Sequence, residues 1–205
     1  GMIDASKIFY VEDRNLTEGV TGEVGMEDHL GTDYSGNLNS NNEMIFDALQ
    51  PFTLDSVKVY SDFPGERKMV LLDADGAELN SAIIDVPEGE TMVFVGMEIP
   101  EGIDMVMTTD AQTNQISLGV GGPRLKRSSE GVNFPYEYTD YASLKSSNFG
   151  ENWYYYFYDW QISTPDIACA GDRIPVEVWL DTDVATIDFG KTKDVKVFPN
   201  PTDGN

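Results

Sequence analysis

The sequence predicts an all-β protein, a two-sheet antiparallel sandwich of jelly-roll or immunoglobulin-like type with almost no helix. Three observations carry this. Runs of alternating apolar and polar residues recur about every 10 residues with turn signals between them, the spacing of a sandwich rather than of βαβ units. No stretch shows a convincing helical period in its apolar residues. Third, Trp153-Tyr154-Tyr155-Tyr156-Phe157-Tyr158-Asp159-Trp160-Gln161-Ile162 is dominated by aromatic residues and contains neither Gly nor Pro, as suits a strand with rings on both faces. Tyr154, Tyr156, Tyr158 and Trp160 would form one row and Trp153, Tyr155, Phe157 and Asp159 the other. The ribbon is therefore expected at the centre of a packed sheet, one row in the core and the other against a second layer or a ligand.

A chain of 205 residues, 40% hydrophobic and 11% aromatic, can bury a sizeable core as one β domain with tails. Its 36 acidic residues against 13 basic ones give a formal net charge of −23. Such a surface repels phosphate backbones and anionic lipids, so neither nucleic acid nor membrane insertion is expected. It suits divalent cations, or simply a solvated, monomeric protein. No apolar run reaches the roughly 18 residues of a membrane helix. The single Cys169 excludes an intramolecular disulfide. Gly1 ahead of Met2 reads as the mark of excision from a longer chain.

Taken in order, residues 1–20 hold a lead-in strand, Lys7-Ile8-Phe9-Tyr10-Val11, or the end of a preceding module. Residues 19–42, rich in Gly, Asn, Ser and Asp, read as one long loop. The only histidine, His29, sits there beside Glu27 and Asp28 as a bystander or a metal ligand. Strands are expected at Met44–Ala48, Phe52–Tyr60, Arg67–Asp73, Glu78–Val86, Thr91–Ile99 and Ile103–Thr109. Asp75-Gly76 is the hairpin turn between two of them, because it supplies positive φ. The chain then returns through Ile116-Ser117-Leu118-Gly119-Val120. Arg124-Leu125-Lys126-Arg127 is a local basic patch that pairs with the acidic surface or holds a carboxylated ligand. Gly131–Tyr138 is an aromatic loop, and Tyr141–Ser147 a short strand. Finally Pro175–Asp181 alternates, with Val176, Val178 and Leu180 inward, and is expected to close a domain spanning 21–185.

Two resemblances follow from particular residues. Val197-Phe198-Pro199-Asn200-Pro201-Thr202-Asp203-Gly204-Asn205 resembles the opening of the C-terminal sorting domain of bacterial type IX secretion, with Pro199, Asn200, Pro201 and Gly204 forming its turn. Residues 186–205 then read as a linker and the start of that domain, which implies a secreted or surface-attached parent. Ile45-Phe46-Asp47-Ala48, Phe52–Tyr60, Val86-Pro87, Tyr154–Trp160 and Cys169 to Val176 are together similar to an accessory β-sandwich module found before such sorting domains in secreted hydrolases, including metallopeptidases, and in adhesins. That resemblance implies a non-catalytic interaction or spacer module.

Enzyme signatures do not compete with this: there is no His-Glu-x-x-His, Gly-x-Ser-x-Gly or phosphate-cradling loop. A hydrolase using paired carboxylates remains as an alternative from inventory alone. A carbohydrate-binding module is the sharper one. Tyr136, Tyr138, Tyr141 and Trp153, near predicted loop ends, would stack sugar rings beside polar side chains. The partner would then be a glycan, and otherwise a surface protein. No cofactor is expected except structural calcium, for which Asp73, Asp75 and Glu78 resemble the start of an oxygen-ligand loop.

Overall fold

A computed structural model of the chain describes residues 7–12, 14–31, 38–138 and 140–178. The elements up to the first long crossing are β1 (Lys7–Val11), β2 (Arg14–Thr17), β3 (Thr21–Val24), β4 (Met44–Ala48), β5 (Phe52–Ser61), β6 (Gly65–Leu72), β7 (Glu78–Val86), β8 (Gly89–Ile99) and β9 (Gly102–Thr109). There follow α1 (Ala111–Leu118), β10 (Arg127–Ser128), β11 (Tyr136–Tyr138), β12 (Ala142–Ser147), β13 (Tyr154–Tyr155), β14 (Tyr158–Ser163), β15 (Ile167–Ala170) and β16 (Ile174–Val178). Two compact units result, Leu16–Ile167 and the pair of segments Gly1–Asn15 and Ala168–Asn205.

Leu16–Ile167 is the all-β sandwich. One antiparallel sheet has six strands in the order β11-β12-β4-β9-β6-β7, and the other has four in the order β3-β14-β5-β8. Consecutive strands repeatedly change sheet, so β4 hands over to β5, β5 to β6, β7 to β8 and β8 to β9. Alternation decides the facing: Val93, Val95, Met97 and Ile99 of β8 are buried, whereas Phe94 and Glu98 are exposed. Met44, Phe46, Leu54, Val57, Met69 and Met107, all buried, meet between the layers. Trp160 of β14 sets its ring edge-on to Phe46 of β4 at 5.2 Å, joining the two sheets.

The aromatic ribbon is not one strand with two rows. It breaks between β13 and β14, where Tyr156 has φ 89°, and Tyr154 to Tyr158 are all buried. The cause is local. The Phe157 carbonyl accepts from Trp160 Nε1 at 2.7 Å and from the Tyr154 hydroxyl at 2.9 Å, so the turn is held by side-chain donors. Asn42 Nδ2 donates to the Tyr156 hydroxyl at 2.8 Å and holds that ring inside. The expected central position is realised by β14, which lies between β3 and β5.

Three other expectations are corrected. The loop expected over 19–42 contains β3, paired antiparallel with β14 from Trp160↔Val24 to Ser163↔Thr21. Residues 111–118 are helical, where the apolar pattern gave no sign of a helix. Asp110 is the N-cap, its Oδ1 accepting from Thr113 N at 2.6 Å and Thr113 Oγ1 at 2.7 Å, and Gly119 closes the helix at φ 75°. Those bonds hold the Asp110 carboxyl below its ordinary pKa. Asp110→Ala should lower stability by about 1 kcal/mol in urea unfolding, with Asp110→Asn losing less. Lastly, β16 pairs with β1 in the other unit, from Lys7↔Val178 to Val11↔Ile174, and is a strand of neither sandwich sheet. Ile174 and Val176 are 64% and 40% exposed. The inward facing expected of Val178 and Leu180 falls outside the described side chains.

Arg67 of β6 is fully buried. Its Nε donates to the Pro123 carbonyl at 3.0 Å, Nη1 to the Gly65 carbonyl at 2.5 Å, and Nη2 to Ser61 Oγ at 2.9 Å and the Phe63 carbonyl at 2.7 Å. One guanidinium thus stitches the β5–β6 turn to the segment leading into β10.

Candidate interaction surface

The outer face of the four-stranded sheet gathers side chains from distant parts of the chain into register. Phe94 of β8 lies opposite Ser56 of β5, Ser56 opposite Gln161 of β14, and Gln161 opposite Glu23 of β3. Their neighbours in sequence Val93, Val57, Trp160 and Val24 are buried, so these four face out. A second line runs beside the first through Glu98, Thr53, Ser163 and Thr21.

Phe94 is 75% exposed, and its posture has a backbone cause. At Val95-Gly96 β8 carries an extra residue relative to β5, a bulge between the pairs Leu54↔Met97 and Ser56↔Phe94, and Gly96 takes φ 60°. The Phe94 ring runs along the strand into the space above Gly96, 2.7 Å from where a Cβ would stand. Glycine is needed there twice, for its conformation and for the ring. At the other end of the line, Thr21, Gly22, Glu23 and Gln161 border a depression of about 370 Å³. Gln161 Nε2 donates to Asp159 Oδ1 at 2.8 Å, which orients the amide.

One margin of this face carries a charged cluster. Lys58 Nζ lies 3.0 Å from Asp28 Oδ1 and 3.6 Å from Asp159 Oδ2, and donates to the Glu27 carbonyl at 3.0 Å. The Tyr60 hydroxyl donates to Asp28 Oδ1 at 2.9 Å. Burial opposes the charge on Lys58, but the two carboxylates outweigh it and raise its pKa. Burial, then Asp28, pushes the Tyr60 hydroxyl up to about 12. Lys58 and Tyr60 in turn hold the Asp28 carboxyl below its ordinary value. A carboxylate depressed in the folded state stabilises above its unfolded pKa, and that contribution disappears as pH falls through the folded one. The difference in melting temperature between the wild type and Asp28→Asn should therefore be largest near about pH 6 and shrink towards about pH 3. His29 packs here among rings, 5.6 Å from Tyr60 and 6.2 Å from Tyr158.

The residues singled out from sequence are distributed differently. Tyr136, Tyr138 and Tyr141 do come together, along β11 and β12, and all three are half-buried against the core. Tyr138 lays its ring on Gly22 and donates to the Thr21 carbonyl at 3.0 Å, while Tyr136 sets its ring edge-on to Tyr154 at 5.5 Å. They bridge the margins of the two sheets. Trp153 is placed apart from them, under the Arg127 guanidinium at 4.0 Å. Arg124, of the same basic patch, forms a two-pronged pair with Asp62 at 3.0 and 2.8 Å.

Asp73 Oδ1 accepts from Asp75 N at 3.0 Å and Ala77 N at 2.8 Å, shaping the β6–β7 hairpin, and Glu78 pairs with Lys68 at 2.9 Å. Among the described residues no three acidic, His or Cys side chains are grouped to hold a metal ion. Cys169 is exposed. Pro199, Asn200, Pro201 and Gly204 lie outside the described residues. Phe94, Ser56, Gln161 and Glu23 escaped the sequence reading, although an aromatic residue on the polar phase of an alternating strand was a signal available at Phe94. Among the described residues no helix is long and apolar enough to cross a membrane. No family model, curated protein or solved structure matches this chain.

Proposed function

We propose that the chain is a non-catalytic interaction module of a secreted or cell-surface bacterial protein, accessory to a hydrolase or an adhesin, and that it engages its partner through the outer face of the four-stranded sheet. The observation that carries this is Phe94, a large ring exposed on a strand whose inward residues are buried, beside a register-aligned line of polar groups. Exposed apolar side chains gathered on one face mark contact surfaces, and Phe94 is joined there by Met92, two residues away on the same side of β8. The secreted location rests on the sorting-domain resemblance at Phe198 to Gly204. The non-catalytic reading rests on the module resemblance, and the sequence carries no His-Glu-x-x-His or Gly-x-Ser-x-Gly motif that would argue otherwise.

The test is cosedimentation of a fluorescent fusion with washed bacterial envelopes and with immobilised extracellular matrix proteins. Retention that falls about tenfold or more in Phe94→Ala is expected for a central contact residue. Absence of retention on every surface, or equal retention by Phe94→Ala, would overturn the reading.

A further inference from the structure

We infer that the line Phe94, Ser56, Gln161 and Glu23 is a binding site for a neutral polysaccharide chain lying across the strands. This deepens the interaction reading and rests on it. Adjacent strands are about 4.8 Å apart, so the line runs about 14 Å over the sheet, enough for a short run of sugar residues. Its elements are those a polyol requires. Phe94 supplies an exposed apolar ring on which the C–H face of a pyranose can lie, while Ser56, Gln161 and Glu23 supply a hydroxyl, an oriented amide and a carboxylate for its hydroxyl groups. The parallel line of Thr53, Ser163 and Thr21 repeats the hydroxyl chemistry one step along the strands. The depression at Glu23 and Gln161 gives the chain a recessed end.

Charge selects among occupants. Glu23 ends the line and Glu98 lies beside it on the neighbouring one, and the nearby cation Lys58 is engaged by Asp28 and Asp159, so a polyanion is repelled. A second copy of this chain would bring like-charged faces together on a protein of net charge −23. A protein partner would require a dry apolar centre; apart from Phe94, this face offers Met92, 43% exposed, as its large apolar side chain. An uncharged, hydroxyl-rich polymer fits the remaining chemistry.

Affinity gel electrophoresis of the whole chain in laminarin, xyloglucan, galactomannan or soluble starch, with alginate as the anionic arm, tests this. Retardation is expected in at least one neutral polysaccharide and to persist in about 1 M salt, where exposed charge pairs are screened. It should disappear in Phe94→Ala and weaken about tenfold in Gln161→Ala. Ile116→Ser, which changes an exposed side chain of α1, should migrate as wild type. Retardation by alginate alone, by no polysaccharide at all, or equally in Phe94→Ala overturns the glycan assignment. Retention on envelopes or matrix proteins that depends on Phe94, without retardation in any neutral polysaccharide, leaves the interaction reading standing and removes only the ligand class; loss of both removes both.

Discussion

Arg67→Ala should be the most damaging single substitution in the sandwich, lowering stability by about 3 kcal/mol or more in equilibrium urea unfolding. The guanidinium is fully buried and donates to three carbonyls and the Ser61 hydroxyl. Removing it orphans acceptors that water reaches poorly and opens a cavity as well. Desolvation pushes its pKa down to about 10, with the Asp62 charge drawing it back up, so the position is costly unless its hydrogen bonds are satisfied. Two further variants separate the causes. Arg67→Met refills the volume without the donors, and Arg67→Lys keeps a charge without the planar fork. Both should remain well short of wild type; an Arg67→Met protein as stable as wild type would show that packing, not hydrogen bonding, matters there.

Trp160→Ala should cost about 3–5 kcal/mol. The side chain is fully buried, meets Phe46 across the layers, and donates to the Phe157 carbonyl. Trp160→Phe retains much of the ring volume but loses the indole donor. It should recover most of the stability while leaving the Phe157 carbonyl with the Tyr154 hydroxyl as its remaining side-chain donor. Near-ultraviolet circular dichroism and urea midpoints measured together check this, since the bend is surrounded by tyrosines. A loss below about 1 kcal/mol in Trp160→Ala would contradict the packing described, because cavities of this size cost several times more.

The strands from Met44 to Thr109 were legible because period-two alternation and turn chemistry agree there. Val93, Val95, Met97 and Ile99 face one way, and Asp75-Gly76 makes the hairpin turn with Gly76 at φ 84°. The helix was hidden because its apolar residues do not form a stripe: Ile116 is exposed and Leu118 buried. Its caps, Asp110 with Thr113 and then Gly119, were the readable sign. The bend in the aromatic ribbon arises from Trp160 and Tyr154 reaching back to one carbonyl, which no alternation rule contains. The outer face of the four-stranded sheet was less legible still. Ser56, Gln161 and Glu23 look ordinary singly, and become a line only through the pairing of strands far apart in sequence.

One pairing bears on what happens when this protein is pulled. The first and last strands of the sandwich, β3 and β14, are antiparallel neighbours, and Thr21 faces Ser163 where the chain enters and leaves. The Val20 N–H donates to Thr164 Oγ1 at 2.9 Å and the Gly19 N–H to Asp166 Oδ1 at 2.7 Å beside them. Tension applied at Thr21 and Ser163 themselves would fall on the β3–β14 ladder bonds one pair at a time, peeling them from that end instead of shearing them together. Pulled at those two points, the sandwich would open strand by strand under modest load, starting with the pair that also closes it.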